Sequence, residues 1–280
     1  MVELALGTVQ FGLAYGVAGA DRPLLPEISR EILVEARKAG IRRLDTAPAY
    51  GDIEQRLNEL IADLDFEIVS KISRVSKYTD VKEAMERSLE RLGSGLKGML
   101  FHDPDILSSE PECAIWASAR QFCADNSLEL GVSYYNSAEV ALDNRRLTGF
   151  SMAQVPGNAL DQRMCSHAAS LKNVEITMRS AFLQGLLVIE QEQAARRVPR
   201  ARTALENWHR WCTRMKLSPV AAALAVAKSM PANFILIGVD NLSQLRETIA
   251  IWNDVEPIEA TELACDDADV IDPRRWPRHG

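Results

Sequence analysis

The sequence predicts an α/β protein that folds as one (β/α)8 TIM barrel. Short apolar runs alternate with amphipathic stretches along the whole chain, as expected of repeated strand–helix units. The 280 residues, 47% of them hydrophobic, can bury the core of such a barrel. No Pro/Gly/Ser-rich linker or low-complexity segment divides the chain, so residues 1–280 are predicted to form a single domain. A doubly wound open sheet would show the same alternation and remains the alternative.

The apolar runs are the predicted strands. They lie at residues 2–6, 41–45, 66–71, 98–102, 128–133, 151–156, 174–178 and 234–237. Between them, apolar residues recur at the spacing of a helix face, most clearly over 28–39 and 79–92. Each strand is therefore predicted to be followed by a helix that packs against it.

Local signals predict where several helices begin. Asp52 is placed to cap the helix after the second strand, with Gln55 three residues later to complete a capping box. Ser218, followed by a proline, is a favourable start for the alanine-rich helix 220–230. Residues 241–251 are predicted to form the helix after the eighth strand.

Three further segments and two tryptophans have their own predictions. Residues 189–202 are polar and irregular, which predicts a loop over the barrel mouth or a solvated helix. Residues 265–280 are predicted to wrap the barrel as a non-repetitive tail. The glycine-rich segment 12–19 is interpreted as the loop after the first strand, and not as a dinucleotide-binding turn. Trp208 and Trp211 are predicted to pack in the core.

Composition excludes several classes of protein. A net charge of −7 argues against a nucleic-acid binder, which needs clustered positive charge. No apolar run approaches the ~20 residues of a membrane span, and the first residues do not resemble a signal peptide, so a cytoplasmic protein is expected. The cysteines are scattered, without metal-binding spacing, and are predicted to be reduced and for the most part core residues. They are Cys113, Cys123, Cys165, Cys212 and Cys265.

Polar side chains stand at or just beyond the ends of three consecutive predicted strands. Asp45 ends the second strand and Tyr50 lies on the loop after it. Lys71 ends the third strand, and His102 ends the fourth. In a parallel barrel these ends meet at one face, where active sites form. The four side chains are therefore predicted to converge in one pocket.

This set of side chains suits proton transfer to a carbonyl oxygen. A free tyrosine has a pKa near ~10, and the Lys71 ammonium is expected to lower the pKa of Tyr50. Asp45 would keep Lys71 charged, while a neutral His102 could donate a hydrogen bond to the same oxygen. Carbonyl reduction also needs a hydride, which no amino-acid side chain supplies, so it would require a cofactor.

Several short motifs resemble those of the aldo-keto reductases, nicotinamide-dependent enzymes on a (β/α)8 barrel. The resemblance extends from Leu4 to the helix that ends near Trp252. Its sharpest elements are Asp45-Thr-Ala-x-x-Tyr50-Gly51, Ser70-Lys71 and His102-x-Pro-Asp105. They are followed by Gly131-Val-Ser133, Ala153-Gln154-Val155, Arg179-Ser180-x-x-x-x-Gly185 and Gly238-Val239-x-Asn241-x-x-Gln244-Leu-x-Glu247.

The resemblance implies a role for each matched residue. Tyr50 would be the general acid and base, tuned by Lys71 and Asp45, and His102 would orient the substrate carbonyl. Ser133 and Gln154 match residues that hold the nicotinamide carboxamide. The cofactor-binding residues implied in this way are Gly7, Thr8, Val9, Asp45, Ser133, Gln154, Arg179, Ser180, Ala181, Phe182, Leu183, Gly185, Gly238, Asp240, Gln244, Glu247 and Thr248.

Three residues depart from the family pattern. Arg179 stands where many members place an aromatic ring against the nicotinamide; its guanidinium could stack there or bind an anion. Tyr134 follows Ser133 where an asparagine is common. Asp240 lies near the expected 2′-phosphate position, where a carboxylate would repel phosphate and could accept from a 2′-hydroxyl. NADP(H) is the expected cofactor on family habit, with NAD(H) possible because of Asp240.

The predicted function is therefore an oxidoreductase that interconverts a small polar aldehyde or a sugar-like carbonyl and its alcohol. Tyr15 is a candidate wall of the substrate pocket. A cofactor-binding regulatory subunit with little turnover is the first alternative. An isomerase or lyase that uses Tyr50 as a base is the second. The expected partner is a small carbonyl or alcohol substrate, and the expected state is a monomer or a weak homo-oligomer.

Overall fold

Eight parallel strands close into a barrel in chain order, and the last strand pairs with the first. The computed structural model describes residues 2–16, 19, 21–73, 78–107, 114–171 and 173–277. The predicted (β/α)8 barrel is confirmed, and closure excludes the open-sheet alternative. The strands are β1 (Glu3–Gly7), β2 (Arg43–Asp45), β3 (Glu67–Ile72), β4 (Leu96–Phe101), β5 (Glu129–Ser133), β6 (Met152–Pro156), β7 (Glu175–Arg179) and β8 (Phe234–Ile237).

The strand positions follow the prediction, with small shifts at their ends. β8 has the predicted bounds, while β4 begins earlier and ends at Phe101, so His102 lies just after the strand. Within β4, Gly98 lies close to the neighbouring strands: an added Cβ there would be 2.7 Å from Met152 Sδ. β3 continues to Ile72, so Lys71 is its penultimate residue and not its last.

Eleven α-helices surround the barrel within the described residues. They are α1 (Val9–Gly12), α2 (Pro26–Lys38), α3 (Ile53–Ile61), α4 (Tyr78–Leu92), α5 (Ala114–Asp125), α6 (Ala138–Arg146), α7 (Gln191–Arg197), α8 (Arg202–Met215), α9 (Pro219–Ser229), α10 (Leu242–Asp254) and α11 (Ala268–Ile271). No helix in these described ranges is long and apolar enough to cross a bilayer.

The predicted helix starts are correct in position, but one cap is wrong. Ser218 Oγ accepts a hydrogen bond from Ala221 N at 3.2 Å, which confirms the cap of α9. The Asp52 side chain makes no capping bond to α3. Its Oδ1 instead lies 2.8 Å from Arg56 Nη2, because a charged guanidinium one turn later competes for the carboxylate.

The segment 189–202 is mostly helical. It contains α7 and a 3-10 turn, Pro199–Ala201, that leads directly into α8. On α8, Trp208 and Trp211 are buried and stacked with ring centroids 5.9 Å apart, which confirms that they pack in the core. In the tail, α11 is followed by a 3-10 turn, Pro273–Arg275. The prediction for 278–280 lies outside the described residues.

The cysteines are free thiols with different exposures. Cys123 and Cys212 are buried, Cys265 is partly buried and Cys165 is exposed. The prediction that they are core residues therefore holds for two of them and is wrong for Cys165. Cys113 lies outside the described residues.

The amino-terminal end of the barrel is closed by a buried arginine. Arg43, the first residue of β2, is 2% exposed. Its guanidinium lies 2.6 Å from Glu175 and 3.0 Å from Glu67, both at the first positions of their strands. The ring of Phe234 stacks against it with 4.3 Å between the guanidinium carbon and the ring centroid. These ion pairs fill the amino-terminal end of the barrel, and the cavity lies at the opposite end.

Candidate active site

A buried ion pair lies at the carboxyl end of the barrel. Asp45 pairs in register with Val69, and Lys71 is two residues further along β3, so both side chains point inward. Lys71 Nζ lies 2.7 Å and 2.6 Å from the two Asp45 carboxylate oxygens and 3.0 Å from Thr46 O. Burial disfavours the ammonium, but Asp45 and Tyr50 together outweigh it and raise the pKa of Lys71. Lys71 is therefore charged.

Tyr50 stands next to this pair. Lys71 Nζ lies 5.0 Å from the centroid of the Tyr50 ring. Burial raises the pKa of Tyr50, and the Lys71 charge offsets only part of that rise. The net direction is opposite to the one predicted, because the sequence shows the neighbouring ammonium but not the loss of water around the phenol. Tyr50 is therefore protonated at neutral pH and can act as a proton donor.

Two glycines fix the loop that carries Tyr50. An added Cβ on Gly12 would lie 1.8 Å from the carbonyl oxygen of Tyr50. Gly51 has a φ of +69°, and a Cβ there would lie 2.6 Å from Gly12 O. Only glycine at both positions lets the loop after β1 and the loop after β2 approach this closely.

His102 completes the predicted group. Its backbone N–H donates to Ile72 O at 3.1 Å, which holds it beside the end of β3. Its ring meets the Tyr50 ring edge-on, with centroids 6.1 Å apart and an interplanar angle of 87°. Burial, followed by the charge of Lys71, lowers the pKa of His102 to about 4. The imidazole is therefore neutral at neutral pH and can donate a hydrogen bond.

The low pKa of His102 predicts a loss of stability in acid. Between pH 6.5 and about 4 the unfolded chain binds a proton at this site that the folded protein does not. The free energy of unfolding should fall across that window, by at most about 3 kcal/mol. His102→Gln should lack this pH-dependent part of the free energy of unfolding. Urea unfolding of the wild type and the variant at pH 7.5, 5.5 and 4.5 would measure it. If the two free energies of unfolding differed by the same amount at all three pH values, the prediction would be wrong.

An open cavity of about 330 Å³ adjoins Tyr50 and extends over the ends of β1, β7 and β8. Most of the residues that the family resemblance assigns to cofactor binding line it: Gly7, Val9, Asp45, Gln154, Arg179, Ser180, Ala181, Phe182, Gly185, Gly238, Asp240, Gln244, Glu247 and Thr248. Tyr15 also lines it, as predicted for a pocket wall. The buried residues Thr8, Ser133 and Leu183, and the catalytic candidates Lys71 and His102, are not part of this lining.

The two residues predicted to hold a carboxamide are bonded to each other. Ser133 Oγ donates to Gln154 Oε1 at 3.2 Å, and Gln154 Nε2 donates to Asp45 Oδ1 at 2.7 Å. Gln154 therefore links the cavity wall to the Asp45 carboxylate. Tyr134 takes no part in this wall, because its buried phenol donates to Asp143 Oδ2 at 2.7 Å.

The loop after β7 has a strained backbone where it borders the cavity. Ser180, Leu183 and Gln184 have φ values of 66°, 48° and 54°. Such values cost roughly 1–3 kcal/mol each for residues other than glycine and tend to occur at binding sites. Gln184 Nε2 donates to Tyr15 Oη at 3.2 Å, so the loops after β1 and β7 meet across the cavity mouth.

Gln10 is a cavity residue that the sequence reasoning missed. Its Oε1 is buried and has no hydrogen-bond partner among the described residues. A Cβ on Gly238 would lie 2.5 Å from Gln10 Nε2, so this glycine leaves room for the amide. The available signal was a polar residue just beyond the end of β1, next to the matched residues Gly7 and Val9.

The fold and the site have two defining features, which are a Tyr–Lys–Asp–His group in a (β/α)8 barrel and a cavity beside this group at the carboxyl end of the strands. The model of the aldo/keto reductase family matches residues 3–264. The chain therefore belongs to the aldo/keto reductase family of oxidoreductases, as the motifs predicted.

Solved structures support the same fold. PA4992 from Pseudomonas aeruginosa, described as an aldo-keto reductase, is 23% identical over 89% of this chain and 88% of its own, with a TM-score of 0.65. The aldo-keto reductase AKR11C1 from Bacillus halodurans, in its holo form, is 17% identical over 98% of this chain and 95% of its own, with a TM-score of 0.75. No curated protein matches the chain.

Proposed function

We propose that the protein reduces a small polar aldehyde or sugar-like carbonyl to its alcohol, or catalyses the reverse reaction, with a nicotinamide dinucleotide. The observation that carries this proposal is the buried Lys71–Asp45 pair beside a protonated Tyr50 at the edge of an open cavity. A phenol placed in this way can transfer a proton, and no other part of the group is suited to attack a substrate.

In the reductive direction, the substrate carbonyl oxygen lies against Tyr50 and His102. Neutral His102 donates a hydrogen bond that orients and polarises this oxygen. Tyr50 donates its proton as negative charge develops there, and Lys71 stabilises the phenolate that remains. Asp45 keeps Lys71 protonated and in place. The bound cofactor supplies the hydride.

The cavity residues fit a nicotinamide dinucleotide. Gln10, beside Gly238, has an orphaned buried acceptor, and Gln154, bonded to Asp45, adds an amide; both groups suit a carboxamide. Ser180 adds a hydroxyl from the strained loop after β7. Asp240 and Glu247, after β8, would hold the adenosine end.

The charges at that end support NAD(H) over the NADP(H) predicted from family habit. Asp240 and Glu247 line it, and none of the described cavity residues after β8 is basic. A 2′-phosphate there would meet negative charge, whereas a 2′-hydroxyl can donate to a carboxylate. The segment is held by two hydrogen bonds: Asp240 N donates to Gln244 Oε1, and Gln244 N donates to Asn241 Oδ1.

Asp240→Ser should therefore shift the cofactor preference towards NADP(H). We expect the ratio of the NADPH to the NADH dissociation constant to fall about tenfold, which is about 1.4 kcal/mol. Fluorescence titration of the reduced nicotinamide measures both constants without turnover. Asp254→Ser, an equal charge change at the exposed end of α10, is the matched control and should leave the ratio unchanged. An unchanged ratio in Asp240→Ser would reject this role.

The proposed activity is tested by the same titration followed by a panel of short aldehydes and aldoses. Binding of a cofactor and its oxidation by an aldehyde support the reductase. Tight cofactor binding without oxidation by any carbonyl compound would favour the regulatory subunit instead. Absence of binding by either cofactor would leave an isomerase or lyase.

The described cysteines are free thiols, which supports the proposal of a reducing, cytoplasmic environment.

A further inference from the structure

Arg179 is a cationic side chain in the cavity wall. It is the last residue of β7 and is partly buried. Its Nη2 donates to Tyr134 O at 3.0 Å and its Nη1 to Ser180 Oγ at 3.5 Å. Its guanidinium carbon lies 4.7 Å from the centroid of the Tyr135 ring. None of these partners is charged, and Arg179 forms no salt bridge with a described residue.

Two nearby ion pairs form without Arg179. Lys71 lies 2.6 Å from Asp45, and Arg274 lies 2.6 Å from Asp272. Asp272 interacts with Arg179 electrostatically but binds Arg274 through both of its oxygens. Among the described residues, Arg179 is therefore a cation of the cavity wall without a salt-bridge partner. Arg179 lines the same cavity as Tyr50 and Tyr15, and its charge lowers the pKa of His102 and opposes the rise in the pKa of Tyr15.

The guanidinium is also held in place before a ligand arrives. Tyr134 O fixes one edge, and Tyr135 supports its face. Tyr135 is itself packed by Arg274, whose guanidinium carbon lies 3.4 Å from the ring centroid. A guanidinium has five N–H donors in a planar fork, and the bonds to Tyr134 and Ser180 leave some of them for a ligand. A preorganised fork loses little entropy when it binds an oxyanion.

We propose that Arg179 is a specificity-determining residue that binds an anionic group, a carboxylate or a phosphate, on the substrate whose carbonyl lies at Tyr50. The substrate class is then an aldehyde or ketone that carries an acidic group. This inference rests on the proposed reductase function. A charged hydrogen bond of this kind contributes about 1.5–3 kcal/mol, which corresponds to roughly a 10- to 150-fold preference for the acidic substrate.

Matched substrate pairs test the proposal. The pairs are 4-carboxybenzaldehyde with methyl 4-formylbenzoate, succinic semialdehyde with its methyl ester, and glyceraldehyde 3-phosphate with glyceraldehyde. The first two pairs report on carboxylate and the third on phosphate. In the wild-type protein we expect kcat/KM to be at least about tenfold higher for the acidic member of at least one pair. Equal values within all three pairs would overturn the proposal.

Variants assign the preference to this side chain. Arg179→Met keeps an unbranched side chain without charge and should abolish the preference, while Arg179→Lys should retain part of it. Arg145→Met removes the same charge from an exposed position on α6 and should leave the preference intact. Arg179→Met could instead weaken cofactor binding and leave the ratio of kcat/KM for acidic over neutral substrates unchanged. In that case Arg179 binds the cofactor and the proposal fails.

A binding measurement separates this proposal from the proposed function. Isothermal titration of 4-(hydroxymethyl)benzoate and its methyl ester needs no turnover. One outcome is that the wild type binds the acid but not its ester, Arg179→Met binds neither, and no aldehyde is reduced. That outcome would support the anion site and reject the reductase function. Reduction of acidic and neutral aldehydes at equal rates by both wild type and Arg179→Met would retain the reductase and reject the anion site.

Discussion

Tyr50→Phe should lower kcat by about 10²- to 10⁴-fold and change cofactor affinity by less than about twofold. The substitution removes one hydroxyl and retains the ring beside Lys71 and His102. The lost group is the proposed proton donor, whereas the other cavity residues that would hold the cofactor remain unchanged. Single-turnover oxidation of bound reduced cofactor measures the chemical step, and fluorescence titration measures binding.

Tyr135→Phe is the matched control for this change. It removes a phenolic hydroxyl from a ring that supports Arg179 and Arg274, and it leaves the Tyr50 group intact. We expect nearly normal turnover in this control. A large loss of cofactor affinity in Tyr50→Phe, or turnover equal to that of the wild type, would contradict the role assigned to Tyr50.

Lys71→Met should impair both stability and turnover. The Lys71 ammonium is fully enclosed and bonds both oxygens of Asp45, so its removal leaves a buried carboxylate with Gln154 as its remaining side-chain donor among the described residues. Breaking a buried pair in this way costs about 3–5 kcal/mol of the free energy of unfolding. Turnover should fall about 10²-fold or more, because the phenolate of Tyr50 loses its counter-charge.

Two further variants separate these effects. The double variant Asp45→Asn/Lys71→Met replaces the ion pair with neutral groups of similar size and should recover most of the stability but not the turnover. Arg87→Met, which breaks an exposed pair with Glu83, should change stability by less than about 1 kcal/mol. Guanidinium unfolding with parallel rate measurements tests both. Recovery of turnover in the double variant would show that the Lys71 charge is not needed for catalysis.

The barrel was predictable because its signals are local and repeated. Each strand is a short apolar run, and parallel closure follows when such runs alternate with helices. Asp45, Lys71 and His102 could be assigned to one face because each falls at or beside the carboxyl end of its strand. The cap at Ser218 was also predictable, because Pro219 beside it reinforces the same boundary.

The features that were missed depend on tertiary surroundings. The Asp52 carboxylate had two possible partners, and Arg56 outcompeted the backbone. The direction of the Tyr50 pKa depends on how much water the folded chain removes, which residue spacing does not show. Gln10 belongs to the cavity because Gly238 leaves space for it, and that contact joins opposite ends of the sequence.

The contact between Gly12 and Gly51 constrains how this barrel can be redesigned. The backbones of two turns are in such close contact there that neither can change shape alone. One turn begins the segment that reaches Tyr15, and the other carries Tyr50, the proposed proton donor. A loop exchanged from another barrel to alter substrate range would have to bring both turns together, because a graft of the first alone would displace Tyr50.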